Sequence, residues 1–326
     1  MKKFEVYKNV FVYRDLFSNE EIDFILDTIK ETENDIGDLL ASDPTESATR
    51  DFHGPQPQDR KDGTIIGTWT PWYTFGKRTV FLNTDSSIST KGLKQVKVRN
   101  LIYEKIQSVH DDYISSCDPN SWPEYAGKDL NLNTDLNNNT LPKGMELGGI
   151  EVLEHNHNED SEFTIKVHTD WHPHRGHWPG PKQIITYTFY LNDDYEGGEI
   201  DFIEEQENRM VTYKPRKGDV TIFPAGRPFW HAARAAKSGS NKIFIRVFAI
   251  KRYMGSDEWI YNSSTFGVEQ WLEKEKEKVF DLLDNGINSR NIVYIGEDTA
   301  TGDDFSPTIL IDRNKCKYID GRFLNI

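Results

Sequence analysis

Ile185-Thr186-Tyr187-Thr188-Phe189-Tyr190-Leu191-Asn192-Asp193-Asp194-Tyr195-Glu196-Gly197-Gly198-Glu199 is a β-branched and aromatic run that stops at a polar turn and re-enters extended chain through a Gly-Gly hinge. Tyr213-Lys214-Pro215-Arg216-Lys217-Gly218-Asp219-Val220-Thr221-Ile222-Phe223-Pro224 repeats the texture, with Lys217-Gly218-Asp219 as a tight turn between two strands. Working outward, similar runs occur at 149–154, 163–170, 183–192, 199–203, 209–214, 219–223, 230–233 and 242–252. Short strands at this spacing, punctuated by turns, predict an antiparallel double-sheet jelly roll. The fold class expected is mainly β with flanking helices (α+β).

Three regions follow. Residues 1–147 form an N-terminal helical and loop region supporting the core, 148–253 the jelly-roll core, and 254–326 a C-terminal extension of helix and short strands. In the first region a strand-rich lead-in gives way to Ser18-Asn19-Glu20-Glu21, a capping box in which the Ser18 hydroxyl and Glu21 carboxylate satisfy amide donors at a helix start. Ile22, Ile25, Leu26 and Ile29 then recur at helical spacing and predict one buried face. Residues 34–63 and 128–140 are polar and read as long loops, suited to a lid. A second helix is predicted over 91–115 with Val98, Leu101, Ile102, Ile106 and Val109 inward. In the last region Val268, Trp271, Leu272, Val279, Leu282 and Leu283 predict a helix ended by Asn285-Gly286, with strands near 291–295 and 308–312.

The chain of 326 residues carries 39 Lys plus Arg against 53 Asp plus Glu, a net charge of −14 that repels nucleic acid phosphates and anionic lipid surfaces. Neither nucleic acid nor membrane is expected as a partner. Cys117 and Cys316 are too few for a disulfide framework or a zinc knuckle, so a reducing compartment is the expectation. The N-terminus is basic but develops no apolar stretch, and no long apolar run occurs elsewhere, which predicts a cytoplasmic protein.

The chemistry concentrates in Lys166-Val167-His168-Thr169-Asp170-Trp171 and, 61 residues after Asp170, Phe229-Trp230-His231. Residues i and i+2 of a strand share a face, so His168 and Asp170 can present an imidazole and a carboxylate together, with His231 supplied by a later strand. Two imidazoles and one carboxylate leave positions open on a metal, the arrangement of non-haem iron(II) oxygenases. His-x-Asp alone is a weak signal. His155, His157, His168, His172, His174 and His177 crowd one segment, and those outside the His-x-Asp pair read as loop residues near the mouth. Trp171, Trp178 and Trp230 read as packing residues, although Trp171 follows a ligand and could wall the pocket.

His168-Thr169-Asp170, Tyr190-Leu191-Asn192-Asp193, Gly197-Gly198-Glu199, Pro215 with Lys217-Gly218-Asp219, Phe223-Pro224 and His231 stand in the order of the prolyl 4-hydroxylase-like branch of the 2-oxoglutarate/iron(II) oxygenases, which this chain resembles, phage-encoded members included. The resemblance covers roughly 148–253 and extends to Phe17-Ser18-Asn19-Glu20-Glu21. It implies a jelly-roll dioxygenase with Fe(2+) and 2-oxoglutarate, dioxygen as co-reactant, and ascorbate as a further candidate. Asp170, where related halogenases lose the carboxylate, implies hydroxylation or another oxidation rather than halogenation.

The C5 carboxylate of 2-oxoglutarate requires a buried cation, because an unpaired charge in an apolar pocket is very costly. The family places a Lys or Arg on the last core strand. Lys242, eleven residues after His231, is the first choice, and Tyr190 falls where a tyrosine hydroxyl shares that carboxylate. Arg246 lies on the same strand face and is expected to pair either with a substrate carboxylate or with the C1 end of 2-oxoglutarate, the alternative being a surface salt bridge. The expected reaction is hydroxylation of an unactivated C–H of a prolyl peptide or a small carboxylate-bearing substrate, yielding succinate and CO2. The rival from another class is a non-catalytic, cupin-like metal-binding jelly roll, which has no need of Lys242 or Tyr190.

Overall fold

Alternation along the longest core strands organises the molecule, here described from a computed structural model. It describes residues 1–42, 58–59, 65–66, 69–72, 77–81, 90–118, 145–147, 150–155, 157, 159–160, 162–170, 182–204, 209–226, 229–251, 311 and 313–324. In chain order the first elements are β1 (Lys2–Tyr7), β2 (Val10–Arg14), α1 (Asn19–Ser42), β3 (Gln58–Asp59), β4 (Ile65–Ile66), β5 (Trp69–Trp72), β6 (Lys77–Phe81) and α2 (Thr90–Ser116). Then come β7 (Met145–Leu147), β8 (Glu151–His155), β9 (Phe163–His168), β10 (Lys182–Tyr190), β11 (Tyr195–Gly197) and β12 (Ile200–Glu204). The chain closes with β13 (Arg209–Lys214), β14 (Val220–Pro224), β15 (Phe229–Arg234), β16 (Ala236–Gly239), β17 (Lys242–Lys251) and β18 (Cys316–Asp320).

A major sheet runs β1-β2-β14-β10-β17-β8-β6-β5, with β7 also paired to β17, and a minor sheet runs β18-β13-β12-β15-β9. On β10, Ile185, Tyr187 and Phe189 point outward into a cluster with Ile22, Ile25 and Ile29 of α1 and Val98, Ile102, Ile106 and Val109 of α2. The intervening Thr186, Thr188 and Tyr190 therefore face the other sheet. Between the sheets, Phe223 of β14 meets Phe202 of β12 with ring centroids 5.3 Å apart, alongside Val12, Ile200, Val211 and Phe229. The two layers are those of a jelly roll, mainly β with flanking helices, as the strand pattern predicts.

The capping box forms as read: the Ser18 amide donates to Glu21 Oε2 at 2.8 Å and the Glu21 amide to Ser18 Oγ at 3.2 Å. Leu26 is only partly buried, packed at the border of the cluster. The loop expected from residue 34 starts late, because α1 continues to Ser42. Ile36, Leu39 and Leu40 keep the helical spacing there, and the polar composition around them obscures it.

Strands β5 and β6 extend the major sheet where no strand is predicted. Pro71 disguises β5, yet an edge strand tolerates a proline because one side of its backbone needs no partner. At the other end of the chain β18 pairs in parallel with β13, Met210 opposite Cys316 and Lys214 opposite Asp320. The predicted loop 128–140, the helix ending at Asn285-Gly286 and the strand 291–295 lie outside the described residues. So does 308–312 except for Ile311, which is buried beside Val167, Ile203, Met210, Trp230 and Ala232. Among the described residues no helix is long and apolar enough to cross a membrane.

Candidate metal centre

Strands β9 and β15 are antiparallel neighbours, and their register sets His168 directly opposite His231. The two ring centroids are 4.3 Å apart. Asp170 stands two residues on, past the end of β9 rather than within a strand to 170 as predicted. Its side chain is held by the opposite sheet instead: Thr186 Oγ1 donates to Oδ2 at 2.6 Å and Arg246 Nη1 to Oδ1 at 3.1 Å. His168 Nε2 lies 3.8 Å and His231 Nε2 3.5 Å from that carboxylate. One ligand atom from each of the three residues lies within 4.8 Å of the others, all three being buried.

The chemistry of this donor set fits a divalent transition metal. His231 Nδ1 is 3.3 Å from the Phe229 carbonyl, so with the proton donated there Nε2 keeps its lone pair toward Asp170. Phe223 packs edge-on against the His231 ring at 4.8 Å and limits its rotation. Burial alone would raise the Asp170 carboxyl, but His231, Arg246 and His168 outweigh it and hold it well below the usual carboxylate range.

Further along the inner face of β17 lies Lys242, only 2% exposed. Its ammonium donates to the Gly198 carbonyl at 2.7 Å and lies 5.2 Å and 5.3 Å from the ring centres of Tyr190 and Phe244. Among the described residues no carboxylate forms an ion pair with it. Burial first, and Lys214 second, push it down to about 7. Leu153, Tyr190 and Phe244 form an apolar cluster beside it. Among the described residues the Tyr190 hydroxyl has only a long 3.4 Å contact with Thr221 Oγ1. A cation in an apolar cradle on the metal-facing side of the sheet fits the free carboxylate of 2-oxoglutarate.

Arg246 forms ion pairs with two carboxylates of the chain. Its Nε and Nη2 lie 2.8 Å and 2.7 Å from Glu151 Oε2, while Nη1 takes Asp170. Register explains this, since Glu151 of β8 sits opposite Arg246 on β17. Both carboxylates beside Arg246 come from within the chain. Glu151 and Thr186 are the residues missed by sequence reading, although Glu151 shares the alternating face of β8 with Leu153 and His155.

His155 is not a loop residue but wholly buried on β8, edge-on to Phe244 at 4.8 Å. His157 is exposed. His172, His174, His177, Trp171 and Trp178 lie outside the described residues. Trp230 is a packing residue, as expected, buried among Val167, Ile203 and Met210.

Residues 150–250 match the family model of the 2OG-Fe(II) oxygenase superfamily. Solved structures similar to this chain include a prolyl hydroxylase in complex with a hypoxia inducible factor oxygen degradation domain peptide fragment from Trichoplax adhaerens, 14% identical, with 79% of this chain and 88% of that one covered and a TM-score of 0.41. A viral collagen prolyl hydroxylase from Paramecium Bursaria Chlorella virus-1, as its 2OG complex, is 14% identical over 75% of this chain and 96% of that one, with a TM-score of 0.40. A Pseudomonas putida prolyl-4-hydroxylase is 8% identical over 76% and 94%, with a TM-score of 0.37. No curated protein matches the chain.

The matched segment is thus similar to the 2OG-Fe(II) oxygenase superfamily, whose members are oxidoreductases. That family takes Fe(2+) and the cosubstrate 2-oxoglutarate, the cofactors that the motif resemblance implies, and the His168, Asp170 and His231 donor set fits the metal.

Proposed function

We propose that the chain is a hydroxylase that inserts one oxygen atom into an unactivated C–H bond of a peptidyl substrate, with prolyl peptides the first class to test. Residues 148–253 are the catalytic core in this reading, supported by 1–147 and extended by 254–326. His168, Asp170 and His231 hold Fe(2+), which supplies the activation of dioxygen. Substrate C–H, dioxygen and 2-oxoglutarate become C–OH, succinate and CO2.

The chain's own residues bind, orient and exclude water. Lys242 pairs with the C5 carboxylate of 2-oxoglutarate, the Tyr190 hydroxyl donates to the same group, and Leu153 and Phe244 enclose the methylene carbons. Lys242 is the observation that carries the reading: a metal-binding module without turnover has no reason to bury an ammonium that has one carbonyl acceptor and no ion-paired carboxylate among the described residues. A peptidyl substrate is favoured over a small carboxylate because Arg246 already has Glu151 and Asp170 as partners.

The test supplies the full chain with Fe(2+), 2-oxoglutarate and either proline-containing peptides or small carboxylic acids, free proline among them. Expected are succinate formation stimulated by peptide and a peptide product heavier by one oxygen atom. Stimulation by small carboxylates alone would move the substrate class, and no succinate under any condition would favour the non-catalytic module.

A further inference from the structure

Two groups of the major sheet hold Asp170, and a third, Glu151, holds one of them. Thr186 holds Oδ2 at 2.6 Å and Arg246 holds Oδ1 at 3.1 Å, so each carboxylate oxygen has one outside donor and keeps acceptor capacity for a metal. A guanidinium free to choose would take both oxygens in a bidentate pair, its preferred geometry with a carboxylate. Here two of its nitrogens are occupied by Glu151, and one nitrogen remains for Asp170.

We propose that Glu151 and Arg246 are a positioning pair for Asp170, in which Glu151 holds the guanidinium back so that it orients the metal-binding carboxylate without capturing it. The proposal rests on Asp170 being a metal ligand and adds two residues to that site. Glu151 also neutralises a cation that would otherwise stand beside a divalent metal. The half-open position of both side chains, 19% exposed for Glu151 and 23% for Arg246, leaves room for solvent without releasing either partner. Hydrogen-bond partners behind a metal ligand are worth on the order of 10–100-fold in metal affinity.

Glu151→Gln keeps the size but lifts the restraint on Arg246, which then competes with the metal for Asp170. The full-length protein, freed of metal, is titrated anaerobically with Co(2+), and affinity is read from the visible absorption of the bound ion, with thermal unfolding of each variant in parallel. Expected is a loss of at least about 10-fold for Glu151→Gln at unchanged Tm. In the double variant Glu151→Leu/Arg246→Met the competing cation is gone together with its orienting bond, so part of the affinity lost in Glu151→Gln should return.

Wild-type affinity in Glu151→Gln overturns the positioning role while leaving the metal site standing. A double variant weaker than the single, with Tm falling in step, shows a merely structural pair and overturns it too. A raised KM for 2-oxoglutarate with unchanged Co(2+) affinity in the double variant would make Arg246 a cosubstrate contact instead. Failure of the wild-type chain to bind Co(2+) would overturn the metal site itself, and this proposal with it.

Discussion

His168 and His231 are direct cross-strand partners, with ring centroids 4.3 Å apart, although 62 positions separate them in the chain. Neither strand holds the pair alone, so the proposed metal site depends on the β9–β15 register. His168→Ala and His231→Ala should each reduce Fe(2+) affinity by more than the roughly 10–100-fold attributed to a residue behind a ligand. Equilibrium dialysis against Fe(2+) under argon measures it, and a variant that binds iron normally is not missing a ligand.

With Lys242 as the proposed anchor of 2-oxoglutarate, cosubstrate binding should depend on pH. Its ammonium, pushed down to about 7, is the form that attracts a carboxylate, so above that pH a proton must be taken up with 2-oxoglutarate. KM for 2-oxoglutarate should then rise by up to about tenfold per pH unit, at little change in kcat. Lys242→Met should raise KM strongly and flatten the profile. A steep rise retained in that variant would locate the titrating group elsewhere.

The same lysine predicts a stability effect of opposite appearance. Between about pH 7 and about 10.4 the unfolded chain holds a proton that the folded cofactor-free chain has lost, so unfolding free energy increases with pH across that window. Lys242→Met removes this contribution. Urea unfolding of the wild type and variant at pH 7 and pH 9 should show a larger gain on raising the pH in the wild type.

Gly198 explains the second glycine of the hinge. Its φ is +69°, and an added Cβ would lie 2.6 Å from Tyr195 Cε2 and 3.3 Å from Lys242 Cδ. Gly198→Ala should cost on the order of 1–3 kcal/mol, as other residues forced into sparsely populated backbone conformations do. Because the Gly198 carbonyl holds the Lys242 ammonium, KM for 2-oxoglutarate should rise as well. Denaturation and steady-state assays check the two parts separately.

Asp219, in the Lys217-Gly218-Asp219 turn, is a node joining both ends of the chain. Arg14 Nε donates to Asp219 Oδ1 at 2.9 Å, and the same guanidinium reaches the Gly321 and Leu324 carbonyls, each at 2.6 Å. Arg14→Met strands a buried carboxylate and should cost about 3–5 kcal/mol. Chemical denaturation measures that cost, and faster proteolysis at the C-terminal segment should accompany it.

The sequence made the core legible because strands buried on alternating faces leave a period of two, as Ile185, Tyr187 and Phe189 do opposite Thr186, Thr188 and Tyr190. The three proposed metal ligands stood out by residue type and order. Glu151 did not, because a lone acidic residue at a strand start looks like any solvated charge until β8 is set beside β17. Strand β18 was hidden for a similar reason: Lys317 and Asp320 read as surface, and its pairing with β13 crosses about a hundred residues. Partnership across sheets is what local pattern does not carry.

The most direct test is turnover of 2-oxoglutarate itself. Purified full chain with Fe(2+), dioxygen and 2-oxoglutarate should release succinate and CO2 in equal amounts, and Asp170→Ala or removal of iron by a chelator should stop both. Production of succinate that persists without iron or in Asp170→Ala, or none at all in the iron-loaded wild type with a broad peptide panel, would contradict the account.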